Sequence, residues 1–181
     1  MIQTPRLLLV PANLPLLEAA SDGNLPELSA LLGGVQIEPD WTSFPDAIVW
    51  MRDFMREFAA DINWWNYMTI HRTDKKLIGA CGFKGEPDPE GMVELGYEIA
   101  SAYRGRGLAT EAAQGLLNYA FSFNSVEKVT ATTLAEENAS TRLLRRLHFT
   151  FTGEETDLED GKIWTWCKNR AEDVSRSGSY D

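Results

Sequence analysis

The sequence predicts an α+β, or mixed α/β, sandwich built around one sheet, and three observations carry that prediction. Apolar patterning gives the order strand, helices, three strands, helix, strand, helix, two strands, with no internal repeat and no dividing linker. Met92 to Ala100 alternates with period two, Val93, Leu95, Tyr97 and Ile99 facing one way and Glu94, Gly96 and Glu98 the other. The run from Gly107 then sets Leu108, Ala112, Leu116 and Ala120 at helical spacing, so this strand and helix can share one apolar interior.

Taken in order, Arg6 to Val10 reads as the first strand, ended by Pro11. Leu14 to Ala20 and Leu25 to Leu32 are short helices separated by the turn cluster Asp22-Gly23-Asn24. Ser43, with Asp46 three residues on, reads as an N-cap. Ile48, Met51, Phe54, Met55 and Phe58 lie on one face of the helix that follows, to about Ala60. Trp64 to His71 and Leu77 to Phe83 read as a hairpin around Arg72-Thr73-Asp74-Lys75-Lys76, and Gly85 to Gly91 as a loop with two prolines. Val126 to Leu134 is a strand and Asn138 to Leu147 a short helix. Phe149 to Leu158 and Lys162 to Lys168 form a closing hairpin turned at Glu159-Asp160-Gly161. Residues 1–170 are the expected domain, and residues 171–181, polar and without apolar period, a frayed tail.

Composition narrows the function classes. The 181 residues suffice for one core without metal or disulfide, and 44% apolar with 24% charged is ordinary for a globular domain. No window approaches the roughly 18 apolar residues of a membrane span, and no basic patch precedes an apolar core as in a signal peptide, so the cytoplasm is the expected location. Cys81 and Cys167 lie in apolar strand-like segments and are expected as buried reduced thiols; with only His71 and His148 beside them, no metal site is expected. A net charge of −10 argues against nucleic-acid binding and suits a cationic substrate.

The most informative segment is Tyr103-Arg104-Gly105-Arg106-Gly107-Leu108-Ala109-Thr110-Glu111, a glycine-arginine turn between strand and helix. Two glycines let the backbone lie against a ligand, and the helix that follows begins with unpartnered N–H groups at the positive end of its dipole. Arg104 and Arg106 add charge, so the turn reads as a phosphate cradle. It lacks the third glycine of a dinucleotide fingerprint and the Gly-Lys-Ser/Thr of a nucleoside-triphosphate loop.

Arg104-Gly105-Arg106-Gly107-Leu108-Ala109 resembles the Arg/Gln-x-x-Gly-x-Gly/Ala signature of the GNAT superfamily of acetyl-CoA-dependent N-acetyltransferases. Thr4-Pro5-Arg6-Leu7-Leu8-Leu9, Glu94-Leu95-Gly96-Tyr97-Glu98-Ile99 and Asn138-Ala139-Ser140-Thr141 before Leu147-His148-Phe149 are similar to its RimJ and RimL branch, the ribosomal-protein N-terminal acetyltransferases. The resemblance implies a mostly antiparallel sheet with a central splay and helices on both faces. Acetyl-CoA enters the splay, with main chain near Ile99 pairing the pantetheine arm and donating to the thioester carbonyl. Residues Arg104, Gly105, Arg106, Gly107, Leu108, Ala109 and Thr110 hold the pyrophosphate, and Asn138 both caps its helix and contacts the cofactor. A homodimer is implied by the same branch.

Acetyl transfer to an amine requires a neutral nitrogen, a polarised carbonyl and a proton for the departing thiolate. An α-amine is about a tenth neutral at pH 7, and a lysine less than roughly one part in a thousand. An N-terminal acetylase therefore needs less of its base. Glu94, resembling the family's frequent strand carboxylate, is the preferred base, alone or through a water, and Glu98 the second candidate; Glu111 reads as a structural partner. In the place where many relatives carry the acid tyrosine this chain has Leu144, so Thr141 is the candidate thiolate donor, beside its plain reading as a first-turn threonine. His148 replaces the usual glycine. Trp41, Trp50, Trp64, Trp65 and Tyr67 are candidate acceptor-pocket or core aromatics.

The leading expectation is acetyl transfer from acetyl-CoA to a primary amine, first a peptide or protein N-terminus. The alternatives are a small cationic amine such as an aminoglycoside or polyamine, a non-catalytic acyl-CoA-binding regulatory module, and, from the glycines alone, a dinucleotide oxidoreductase.

Overall fold

Alternating and helical apolar patterns sort onto one sheet in the computed structural model, which describes residues 1–58, 60–158 and 161–170. The elements run β1 (Ile2–Gln3), β2 (Leu7–Pro11), α1 (Leu14–Ser21), α2 (Leu25–Leu31), β3 (Gln36–Ile37), α3 (Pro45–Glu57), β4 (Asn66–His71), β5 (Lys76–Phe83), β6 (Met92–Ile99), α4 (Leu108–Phe121), β7 (Lys128–Leu134), α5 (Ala139–Arg146), β8 (Thr150–Asp157) and β9 (Gly161–Asn169). The strand order is β1-β2-β4-β5-β6-β7-β9-β8, with β3 pairing β5 in parallel. Apart from that contact and the parallel β6–β7 pair, neighbours are antiparallel.

Each face of the sheet has its own core. On one, Leu7, Leu9, Val93, Leu95 and Ile99 pack under Leu108, Ala112, Leu116 and Ala120 of α4. On the other, Met68, Ile70 and Leu77 meet Leu16, Leu17, Leu28, Ile48 and Met51 from α1, α2 and α3. Burying a leucine as fully as Leu116 stabilises by about 1.5–3 kcal/mol, so both α4 and the sheet depend on this contact. At the far end Arg170 donates to the main-chain oxygens of Phe121, Phe123 and Val126, closing β9 against the end of α4.

The α+β expectation holds, as does the alternation of β6. Several local expectations are corrected. Ser43 does not cap α3: Phe44 is the N-cap without a side-chain bond, Pro45 opens the helix, and the Ser43 N–H is bonded instead to Glu98. The helix ends at Glu57, and Phe58 is half exposed rather than on a buried face. Trp64 ends a 3₁₀ turn at Ile62–Trp64 rather than opening β4, and β1 and β3, two residues each, were not predicted. Cys81 is buried, but Cys167 is partly exposed. Glu159 and Asp160 of the expected closing turn, and the expected tail at 171–181, lie outside the described residues.

Candidate active site

The sheet opens where the site is expected. β6 pairs β7 only through Met92–Lys128, Val93–Val129 and Glu94–Thr130, whereas it pairs β5 from Leu95 to Ile99. Beyond Glu94 the two strands part. The Ala100 N–H donates to Ile78 and the Glu94 carbonyl accepts from Lys84, so even-numbered residues spend their main-chain groups on β5. Hydrogen-bonding direction alternates along a strand, so Tyr97 and Ile99 turn theirs toward the gap. The Ile99 carbonyl accepts from Arg104 Nε at 2.8 Å.

The glycine-arginine turn follows directly. Gly105 and Gly107 take φ of +74° and +75°, the left-handed region that a side chain would strain, and Gly107 is the N-cap of α4. The opening N–H groups of α4, at Leu108, Ala109 and Thr110, have no partner one turn back within the helix. Arg6 props the turn: it donates from Nε to Glu111 Oε2 at 2.6 Å and from Nη1 to the Arg106 carbonyl at 2.9 Å. Glu111 also accepts from the Thr4 hydroxyl and the Arg6 N–H, at 2.6 and 2.7 Å. Burial pushes its carboxyl up, but these donors outweigh it and hold it below the usual carboxylate range.

A cavity of about 290 Å³ is lined by Ile99, Arg104, Gly105, Gly107, Leu108, Ala109 and Thr110, together with Tyr103, Ala139, Arg142, Leu143 and Arg146. Of the predicted cofactor residues, two lie outside its wall. Arg106 stacks on the Tyr103 ring with 5.0 Å to the centroid, and Asn138 caps α5. Sequence reasoning missed Arg142 and Arg146. Their spacing of four puts both on one helical face, a signal present in the sequence; Arg145 between them is taken up by Glu137.

Asn138 and Thr141 form a reciprocal capping box. Asn138 Oδ1 accepts from the Ser140 and Thr141 N–H groups at 2.8 and 3.0 Å, and Thr141 Oγ1 accepts from the Asn138 N–H at 3.0 Å. Thr141 is fully buried and lines neither this cavity nor the next. Leu144 is core, so the tyrosine's usual place holds no donor. At the other end His148 adopts φ +63°, with its N–H on the Arg145 carbonyl and the Phe149 N–H on that of Leu144, so the turn usually made by glycine is kept.

On the opposite face of β6 lies a second cavity, about 210 Å³, whose wall includes Thr42, Phe44, Ile48, Phe83, Lys84, Gly96, Tyr97 and Glu98. Glu98 Oε1 accepts from the Thr42 hydroxyl and Oε2 from the Ser43 N–H, both at 2.7 Å. It thereby fixes the segment leading into α3. Glu94 is in neither wall; it is bonded by Lys84 Nζ at 2.5 Å and the Thr132 hydroxyl at 3.0 Å. Of the predicted aromatics, Trp41 and Trp64 are core residues, Tyr67 is buried, and the half-exposed Trp50 stacks on Phe54 beside Trp65, which packs against the core. The Tyr97 hydroxyl and Ser140 Oγ are 2.7 Å apart, joining β6 to the first turn of α5. Among the described residues no cluster of histidine, cysteine or carboxylates could hold a metal, and no helix is long and apolar enough to cross a membrane.

A family model described as Acetyltransferase (GNAT) domain matches residues 16–150. The uncharacterized N-acetyltransferase YjdG of Bacillus subtilis (strain 168) is 29% identical over 151 residues, 82% of this chain and 89% of its own length. Among solved structures, the spermidine/spermine N-acetyltransferase SpeG of Vibrio cholerae superposes with TM-score 0.67 at 16% identity, over 96% of this chain and 99% of its own. RimL, a ribosomal L7/L12 alpha-N-protein acetyltransferase in complex with coenzyme A, superposes with TM-score 0.63 at 16% identity, over 92% and 95%. Parted strands beside a glycine-started helix, and a family match across most of the chain, lead to one conclusion: this chain belongs to the GNAT acetyltransferase family and is an N-acetyltransferase.

Proposed function

We propose that this enzyme moves the acetyl group of acetyl-CoA to the α-amine of a peptide or protein N-terminus. The carrying observation is the second cavity: it is small, largely apolar, and holds one carboxylate, Glu98, with Lys84 in the same wall. One cation suits it. A polyamine would bring further charges that no second carboxylate among the described residues of this wall meets, and an α-amine is already about a tenth neutral at pH 7.

The residues of the first cavity fit an anionic cosubstrate. Arg142 and Arg146 line it together with the opening turn of α4, and Arg104 borders the gap. Ile99, Arg104, Gly105, Gly107, Leu108, Ala109 and Thr110 would hold acetyl-CoA, with Arg106 acting by charge and Asn138 by fixing α5. The bound group supplies the acetyl thioester. Glu98, which lines the acceptor cavity, takes the amine proton directly or through a water, and Glu94 keeps Lys84 and β7 in place. Main-chain N–H groups at the gap polarise the carbonyl. We place the enzyme in the cytoplasm as a homodimer, and sedimentation tests the latter.

Thiol release across a panel of free-α-amine peptides, α-blocked lysine peptides, polyamines and aminoglycosides tests the acceptor, with mass spectrometry locating the acetyl group. Turnover with peptides alone is expected, and Glu98→Gln should cost roughly a hundredfold in kcat where Glu94→Gln costs less. Preferred turnover of polyamines would overturn the acceptor; full activity in Glu98→Gln would overturn the base.

A further inference from the structure

Departure of the thiolate needs a donor, and the family's usual position for it is Leu144, a buried core leucine. Thr141 spends its hydroxyl on the Asn138 main chain. A different hydroxyl pair stands at the gap. Tyr97 comes from the strand that parts from β7 and Ser140 from the first turn of α5, and their oxygens are 2.7 Å apart. Tyr97 lines the second cavity; Ile99, two residues on, and Ala139, next to Ser140, line the first. The pair therefore stands beside residues of both cavities, on the strand whose edge opens at the gap.

We propose that the Tyr97–Ser140 hydroxyl pair is the hydrogen-bond donor to the thiolate sulfur as the C–S bond breaks. The inference rests on the assignment of acetyl-CoA to the β6–β7 gap. In the step, the amine nitrogen forms a bond to the carbonyl carbon, the C–S bond breaks with its electron pair on sulfur, and the surplus nitrogen proton leaves through Glu98 or water. The pair lowers the energy of the sulfur anion by hydrogen bonding, and solvent protonates the released thiolate. Products and reactants balance as amide plus thiol from amine plus thioester.

The electrostatics of Tyr97 agree with donation rather than outright proton transfer. Burial pushes its phenol up to about 12, and the bond to Ser140 only partly offsets this. A free thiol titrates near 8.5, so moving the proton to sulfur is uphill, while a phenol that stays protonated throughout neutral pH remains a donor. Because Ser140 can accept from Tyr97 while its own proton points elsewhere, either oxygen can present a proton to sulfur.

The test compares wild type, Tyr97→Phe and Ser140→Ala, each checked for folding by circular dichroism and melting. With acetyl-CoA, Tyr97→Phe should lose roughly tenfold to a hundredfold in kcat, the range of one hydrogen bond to a charged group, with KM for acetyl-CoA within about twofold. The deficit should shrink with an acetyl thioester of an aryl thiol, whose thiolate needs no such help. A second readout avoids turnover. If the pair favours bound thiolate, the thiol pKa falls on binding, so affinity for free coenzyme A rises with pH up to the free thiol's value. Calorimetry with coenzyme A and desulfo-coenzyme A should show the ratio of their affinities rising about tenfold from pH 6 to 9 in wild type, rising less in Tyr97→Phe, and staying flat in the double variant Tyr97→Phe with Ser140→Ala. Arg104, Arg142, Arg146, Glu94 and Glu98 are common to all three proteins and cancel in that comparison. Unchanged kcat in Tyr97→Phe, an equal deficit with both thioesters, or the same affinity ratio in all three proteins would each overturn the proposal. If instead the variant misfolds, Ser140→Ala decides by the same criteria. A wild type that binds no coenzyme A would sink the site assignment itself, a different failure.

Discussion

Arg6 Nε and Glu111 Oε2 stand 2.6 Å apart, and that one contact ties the edge of β2 to the first turn of α4. The same guanidinium holds the Arg106 carbonyl, so the strand braces the turn. Glu111→Gln should lower Tm by about 3–10 °C at pH 7, from the loss of charge-assisted hydrogen bonds. The folded carboxyl titrates below its unfolded value near 4.3, so its contribution is complete above about pH 4.3 and fades as pH falls through the lower folded value. Thermal melts from pH 7 to 3 should therefore show the gap between wild type and variant closing on acidification.

Gly107→Ala probes the turn itself. An added Cβ would meet nothing nearer than Arg6 Nη2 at 3.7 Å, so the cost is backbone strain at φ +75°, about 1–2 kcal/mol. A fall in Tm of about 2–8 °C and a raised KM for acetyl-CoA are expected in melts and steady-state rates.

Thr141→Ala separates a cap from a catalyst. With its hydroxyl buried in the capping box, the substitution should cost about 1 kcal/mol of stability and leave kcat within about twofold. A hundredfold fall in kcat with an intact melt would return Thr141 to the chemistry.

Arg142→Gln and Arg146→Gln remove cations that no motif had flagged. Each should raise KM for acetyl-CoA roughly tenfold with little change in kcat, and the penalty should shrink in high salt as screening weakens what the arginines supply.

His148→Gly should stabilise the protein. It relieves a left-handed residue at +63°, worth about 1–2 kcal/mol, against about 0.4–1 kcal/mol for the freer unfolded chain. A Tm rise of a few degrees is the expected reading.

What the sequence disclosed, it disclosed through burial. The alternation of β6 and the apolar row of α4 were legible because each side chain's environment repeats at the period of its backbone. The glycines of the turn were legible because only they suit that torsion. The start of α3 was not, since Ser43 gives its N–H to Glu98, fifty-five residues away. For the same reason Tyr97 read as one more apolar strand residue: its hydroxyl acquires meaning only where α5 docks, forty-three residues on. Arg142 and Arg146 showed their common face but not what that face opposes.

The short seam between β6 and β7 has a mechanical consequence. Two half-sheets share a spine of three residue pairs at Met92, Val93 and Glu94, and then open like the leaves of a book. Whatever lies between the leaves acts on that spine with leverage, since a small rotation at Glu94 becomes a larger displacement at Ile99. The width available for the reaction is thus set at a place that takes no part in it.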